Sequence, residues 1–107
     1  MLVAPACVAF LAAACPSRHW DCVHALNPTT AATLEPDAAG QWLSTFFISL
    51  LRRSHSPNGL AGLHAGQQHV DGWVDGCKDQ LRVMANAPMA VSQDNIKSIY
   101  RNALSYW

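Results

Sequence analysis

Residues 37–53 read DAAGQWLSTFFISLLRR, and this stretch decides the fold. Its apolar residues recur at intervals of three and four positions, which predicts an amphipathic helix. Pro36 precedes the stretch, and Asp37 is placed to cap the first turn. Arg52 and Arg53 end it, where positive charge interacts favourably with the helix macrodipole. Burying its Trp, Phe and Leu side chains would stabilise the fold by roughly 1.5–3 kcal/mol each, so this helix is predicted to supply the core.

The rest of the chain also predicts helices. Apolar residues recur at helical intervals in residues 18–26, 60–83 and 92–106, with a break in the second of these near Gly66. Residues 27–36 are predicted to be a loop. No segment alternates with a period of two, so no sheet is expected. The prediction is an all-α bundle of four to five short helices in a single domain.

The first 17 residues contain no charged side chain. Their apolar run is too short to span a bilayer as a helix, and it ends in Ala12-Ala13-Ala14, a pattern similar to a signal-peptidase site. We therefore divide the chain into a leader, 1–17, and a helical domain, 18–107. The leader is a signal peptide, a lipoprotein leader with its cleavage site at Ala14-Cys15, or a first core helix. Export predicts a periplasmic or secreted protein, whereas a core helix predicts a cytoplasmic one.

The charge balance excludes some classes of partner. Seven basic and seven acidic residues give a formal net charge of zero. Without a basic excess, nucleic acid is not expected as a partner, and no membrane span is predicted. Neutrality favours self-association, so a homodimer is one expectation. Five histidines would gain charge as the pH falls from neutral towards 5.

Two of the four cysteines are candidates for a disulfide. Cys22 lies in the predicted helix 18–26, and Cys77 lies near the end of the predicted helix 60–83. A bond between them would close a loop of about 55 residues and stabilise the fold by roughly 4 kcal/mol. It would also place the protein outside the reducing cytosol. The alternatives are two buried free thiols, or a pairing that uses all four cysteines, including Cys7 and Cys15.

No other constellation predicts catalysis or a metal. One face of a helix would carry a possible zinc set, namely Cys15, His19 and Cys22, but a structural zinc site needs four ligands at recognised spacing. A stripe of carboxylates (Asp71, Asp75, Asp79) does not match a calcium-binding loop and is interpreted as a solvated face. Cys22 and His24 are two residues apart in a predicted helix, so their side chains do not face each other and cannot form a catalytic dyad. We predict no catalytic residue, no metal ligand, no cofactor and no enzymatic activity.

The stretch Trp20-Asp21-Cys22-Val23-His24-Ala25-Leu26 resembles the opening of the HdeA/HdeB family of periplasmic acid-stress chaperones. The resemblance implies a single disulfide between Cys22 and Cys77, and a folded dimer near neutral pH. It further implies that acid loosens the fold and that the exposed apolar surface then holds unfolding client proteins. The residues expected to form this surface are Trp42, Phe46, Phe47 and Leu50.

Two other functions fit the same sequence. One is a periplasmic inhibitor or immunity-type module that binds a partner protein without chaperone activity. The other is a structural protein with no further activity, which would be cytoplasmic if the leader is a core helix.

Overall fold

The computed structural model describes residues 1–77 and 79–107, without the side chain of Leu81. Within these residues the chain is helical and contains no strand, which confirms the all-α prediction. The α-helices are α1 (Ala4–Leu11), α2 (Pro16–Leu26), α3 (Pro28–Ala31), α4 (Ala39–Arg53), α5 (Val70–Cys77), α6 (Leu81–Met84) and α7 (Gln93–Asn102). Short 3₁₀ turns lie at Ala12–Ala14, Pro36–Ala38, Ala61–Leu63 and Gln67–His69.

Helix α4 is the centre of the fold, as its amphipathic pattern predicts. It packs against α1 on one side and α2 on another. A buried cluster joins α2, α3 and α4, and its members are Val23, Ala31, Ala39 and Leu43. Trp20 packs against this cluster, and its indole N–H donates to the carbonyl oxygen of Leu34 at 3.1 Å. This bond fixes the segment after α3 against α2.

The N-terminal segment packs closely on α4. Pro5 and Ala6 are buried, and Ala12 approaches Gly40 so closely that no larger residue fits there. The same segment meets the C-terminus, because the Tyr106 hydroxyl donates to the Leu2 carbonyl oxygen at 2.8 Å. Residues 1–17 thus belong to the folded unit in this structure, while their role in export stays a prediction.

The C-terminal residues are held by the turn after α4. The side-chain oxygen of Asn58 accepts hydrogen bonds from the backbone N–H groups of Tyr106 and Trp107, at 2.8 and 3.1 Å. Gly59 follows with a positive φ of 60°. The N–H groups of Leu60 and Ala61 then donate to the carbonyl oxygens of Ala103 and Leu104, at 2.9 and 2.8 Å. The end of the chain is therefore part of the packed structure.

The predicted helix over 60–83 is wrong in its extent. The segment begins as a 3₁₀ turn, and His64 then adopts a left-handed φ of 61°. Gly66 is extended, so the predicted break at this glycine is confirmed. Only α5 and α6 are α-helical here, because glycines weaken helix formation by about 1 kcal/mol each relative to Ala.

Two helices, α3 and α7, begin at a side-chain cap, whereas the cap predicted for α4 does not form. Ser92 caps α7, since its hydroxyl accepts from the Asn95 N–H at 3.2 Å. Asp37 does not cap α4, because it lies inside the 3₁₀ turn that precedes the helix. Asn27 accepts from the Thr30 N–H at 3.1 Å, so it caps the short helix α3 where a loop was predicted.

The predicted disulfide staple is wrong, because all four cysteines are free. The buried face of α2 is set by Val23, which is fully buried. Cys22 precedes Val23 on the helix and lies about 100° away around its axis, so its side chain is exposed. Cys77 instead lies against α7, with its sulfur 3.4 Å from the Tyr100 hydroxyl oxygen. The two thiols thus have separate environments.

The molecule is flat. Its Cα atoms extend over 42 × 33 × 17 Å, and the radius of gyration is 14.6 Å. A compact domain of this length would have a radius of gyration of about 13 Å. A flat arrangement of helices leaves apolar side chains in solvent, and those of Leu26 and Leu63 are 50% and 57% exposed. The shape therefore leaves apolar surface that a larger assembly could cover.

Candidate interaction surface

The outer face of α4 carries a continuous row of aromatic side chains. Trp42 and Phe46 stack with ring centroids 5.3 Å apart, and Phe46 meets Phe47 edge-on at 6.0 Å. These rings and the side chain of Leu50 are all half-buried. The buried positions of α4 are instead small or aliphatic, at Ala39, Gly40, Leu43, Ser44 and Leu51. We call the group Trp42, Phe46, Phe47 and Leu50 the aromatic surface.

A groove of about 430 Å³ lies beside the aromatic surface. Phe47 and Leu43 of α4 form one wall, Val8 of α1 contributes to the floor, and the remaining lining comes from α2. The α2 residues are Arg18, His19, Cys22 and Leu26. Phe47 therefore belongs to both features, and the aromatic surface and the groove form one largely apolar area across α1, α2 and α4.

The predicted zinc set is only partly assembled. The Cys15 sulfur lies 3.5 Å from Nδ1 of His19, and the same nitrogen lies 2.9 Å from the Cys15 carbonyl oxygen. That nitrogen therefore donates to the backbone when His19 is neutral, which orients the ring and removes Nδ1 as a ligand. In the part of the chain that the structure describes, no three His, Cys, Asp or Glu side chains come close enough together to hold a metal ion.

The acidic stripe on α5 has a structural partner. Asp71 forms an ion pair with Lys97 of α7, at 2.5 Å between the carboxylate oxygen and Nζ. The hydrogen bond and charge of Lys97 lower the pKa of the Asp71 carboxyl. Asp71 is fully exposed, so this surface pair adds little to stability and mainly orients α5 against α7.

A second cavity, of about 210 Å³, lies between α1 and α7. Its lining is mostly aliphatic and aromatic, with the thiols of Cys7 and Cys77 and the hydroxyl of Tyr100 among it. This cavity was not predicted, because Cys7 lies in the predicted leader and Cys77 was expected to bond elsewhere. The apolar residues on the same face of α7 as Tyr100 indicated only that this face packs against another part of the chain.

The whole length of the chain is similar to a segment of a longer protein. It is 27% identical over 107 residues to a probable hydroxyacid-oxoacid transhydrogenase, mitochondrial, of Dictyostelium discoideum. The alignment includes 100% of this chain but only 19% of that relative, so the chain spans about a fifth of the length of the protein it matches. No protein-family model matches the chain, and no solved structure matches it.

Among the described residues, no helix combines the length and the hydrophobicity that crossing a bilayer requires.

Proposed function

We propose that this chain forms a helical part of a protein related to hydroxyacid-oxoacid transhydrogenases, and that its aromatic surface packs against other parts of that protein. The observation that carries the proposal is the alignment, which extends over the entire chain. The relative has about four-fifths of its length outside the matched segment, and that remainder would supply the covering surface.

The shape of the domain supports this role. Full burial of a large aromatic side chain stabilises a fold by roughly 1.5–3 kcal/mol relative to leaving it exposed. Here Trp42, Phe46 and Phe47 remain half-buried on the central helix. Aromatic side chains dominate the energetics of protein contacts, so a row of them beside an open groove suits a contact between helical and non-helical parts of one enzyme.

In this proposal the chain supplies structure to an enzyme and performs no chemistry by itself. Hydrogen transfer between a hydroxyacid and an oxoacid, which the name of the relative states, would depend on residues elsewhere in the protein. The contribution of this chain would be to shape and cover the part that carries out the transfer.

A chimera tests the proposal. The segment of the Dictyostelium protein that matches this chain would be replaced by residues 1–107, and we expect a soluble protein that retains transhydrogenase activity. Replacing both phenylalanines in the chimera, with Phe46→Ser and Phe47→Ser, should reduce soluble yield or activity by roughly tenfold, because the contact loses its central aromatic residues. Thr45→Ser on the exposed side of the same helix is the matched control.

The isolated chain separates a contact effect from a folding effect. The doubly substituted chain should keep the helical circular dichroism of the unsubstituted chain, because the two rings are only partly buried. A chimera that tolerates both substitutions without loss of yield or activity would argue against the aromatic surface as a contact. An insoluble or inactive chimera made with the unsubstituted chain would argue against the proposal itself.

The second candidate function is an acid-stress chaperone of the HdeA type. The half-buried aromatic surface favours it, since the same four side chains could hold an unfolding client once the fold loosens. The disulfide between Cys22 and Cys77 that the resemblance implies is absent, so the aromatic surface is the remaining support for this function. It predicts that the purified chain suppresses the aggregation of a client protein near pH 2–3, and no suppression would eliminate it.

A further inference from the structure

The cavity between α1 and α7 has an unusual combination of lining groups. Phe10 of α1 and Ile96 and Ile99 of α7 give it an apolar wall. Two thiols, those of Cys7 and Cys77, lie within the same lining as the phenol of Tyr100. No described residue of α4 contributes to it, so the cavity is distinct from the aromatic surface and its groove.

Cys77 is hydrogen-bonded to the phenol. Its sulfur lies 3.4 Å from the hydroxyl oxygen of Tyr100. That bond, together with burial and the charges of the Cys77 and Cys7 sulfurs, raises the pKa of Tyr100 to about 12. The phenol can donate its hydrogen to the Cys77 sulfur, and this contact holds the sulfur within the cavity lining.

The second thiol is less reactive. Burial raises the pKa of Cys7, which lowers the fraction of Cys7 thiolate at neutral pH. Cys77 is the thiol that contacts the phenol, so we assign the reaction within the cavity to Cys77.

We propose that this cavity is a covalent-modification site in which Cys77 adds to small apolar α,β-unsaturated carbonyl compounds. An apolar cavity of about 150 Å³ holds a benzene molecule, so a cavity of 210 Å³ accommodates a six-membered cyclic enone. Thiolate is a soft nucleophile and the lining is apolar, which favours an uncharged carbon electrophile over an anionic reagent. The inference is independent of the transhydrogenase proposal.

The addition needs no oxidant or reductant. The Cys77 thiol gives its proton to solvent, and the sulfur lone pair forms a bond to the β-carbon of the enone. The electron pair of the carbon–carbon double bond shifts to the carbonyl oxygen as an enolate, and a solvent proton then adds to the α-carbon. One sulfur–hydrogen bond and one carbon–carbon π bond are lost, and one sulfur–carbon and one carbon–hydrogen bond are formed. Tyr100 keeps its proton and holds the sulfur by its hydrogen bond.

The four cysteines of the full chain provide internal controls. The chain would be treated with 2-cyclohexen-1-one or with iodoacetate, and labelling of each cysteine would be followed by peptide mass spectrometry. Cys22 is exposed and should react readily with both reagents. We expect the ratio of the Cys77 rate to the Cys22 rate to be at least about tenfold higher for the enone than for iodoacetate, because the charged reagent must lose its hydration to enter the cavity.

Two variants link the reaction to the cavity. Tyr100→Phe should slow the labelling of Cys77 by the enone about fivefold, with Cys22 unchanged, because the sulfur loses its hydrogen-bond donor. Ala87→Leu should slow it as well by filling part of the cavity, which Ala87 lines. Equal Cys77-to-Cys22 ratios for the two reagents, or an enone rate at Cys77 that neither variant lowers, would overturn the proposal.

Discussion

Gly40→Ala should lower the free energy of unfolding by about 3 kcal/mol, at the upper end of the cost of overpacking a core. A Cβ atom at Gly40 would collide with the Cβ of Ala12 and lie 3.2 Å from its Cα. Neither atom can move away easily, because Gly40 is in the first turn of α4 and Ala12 belongs to the 3₁₀ turn after α1. Urea unfolding followed by circular dichroism measures the change.

The matched control for this substitution is Gly72→Ala. Gly72 lies inside α5, and a Cβ atom there would have no neighbour within 4 Å among the described atoms. Alanine should therefore stabilise the chain by up to about 1 kcal/mol through helix propensity. Equal effects of the two substitutions would show that the N-terminal segment does not pack on α4. That result would favour the prediction that residues 1–17 are an export leader.

Gly59→Ala should be similarly costly, by about 2–4 kcal/mol. Its φ of 60° lies in the left-handed region, which costs an alanine roughly 1–2 kcal/mol. In addition, a Cβ atom there would lie 2.5 Å from the Ala103 carbonyl oxygen and 2.6 Å from that of Leu104. These two oxygens accept the hydrogen bonds that tie the end of the chain to the turn after α4.

Amide hydrogen exchange shows where Gly59→Ala acts. The N–H groups of Leu60 and Ala61 donate to the two carbonyl oxygens, and they should lose protection well before the amides of α4. Gly76→Ala is the control, since a Cβ there would meet no described atom within 4 Å. Unchanged stability of Gly59→Ala, with protection retained at Leu60 and Ala61, would contradict the packing of the C-terminus described above.

The helices with strong local signals were predictable. Residues 37–53 carry an unbroken amphipathic pattern, and α4 forms over Ala39–Arg53. Ser92 is followed three residues later by Asn95, whose side chain completes a capping box, and α7 begins where this motif places it. In both cases residues adjacent in sequence determine the structure, so the sequence is sufficient.

Features that depend on contacts between distant segments were not predictable. The periodicity of residues 18–26 placed Cys22 near an apolar face, but the buried face is centred on Val23 and Trp20, which pack on α4. The glycines in 60–83 signalled weakness without revealing that the chain would turn through a left-handed His64. Packing of α2 against α4 decided the orientation of Cys22.

The residues of the aromatic surface were predictable from local sequence, whereas the cavity between α1 and α7 was not. The amphipathic pattern placed Trp42, Phe46, Phe47 and Leu50 among the apolar positions of one helix. The rings of the first three lie together on α4. The pattern did not reveal that these side chains remain partly exposed, because exposure depends on the flat arrangement of the other helices. The cavity with Cys7, Cys77 and Tyr100 joins segments about 70 and 90 residues apart in sequence, beyond the range of any local pattern.

The transhydrogenase activity of the native protein is the most direct test of the central proposal. The protein would be purified from the organism that makes it with an antibody raised against residues 1–107, and hydrogen transfer from a hydroxyacid to an oxoacid would be assayed on the purified material. We expect activity in a polypeptide or complex several times larger than the 11.6 kDa chain. Recovery of the 11.6 kDa chain alone, without transhydrogenase activity, would contradict the proposal.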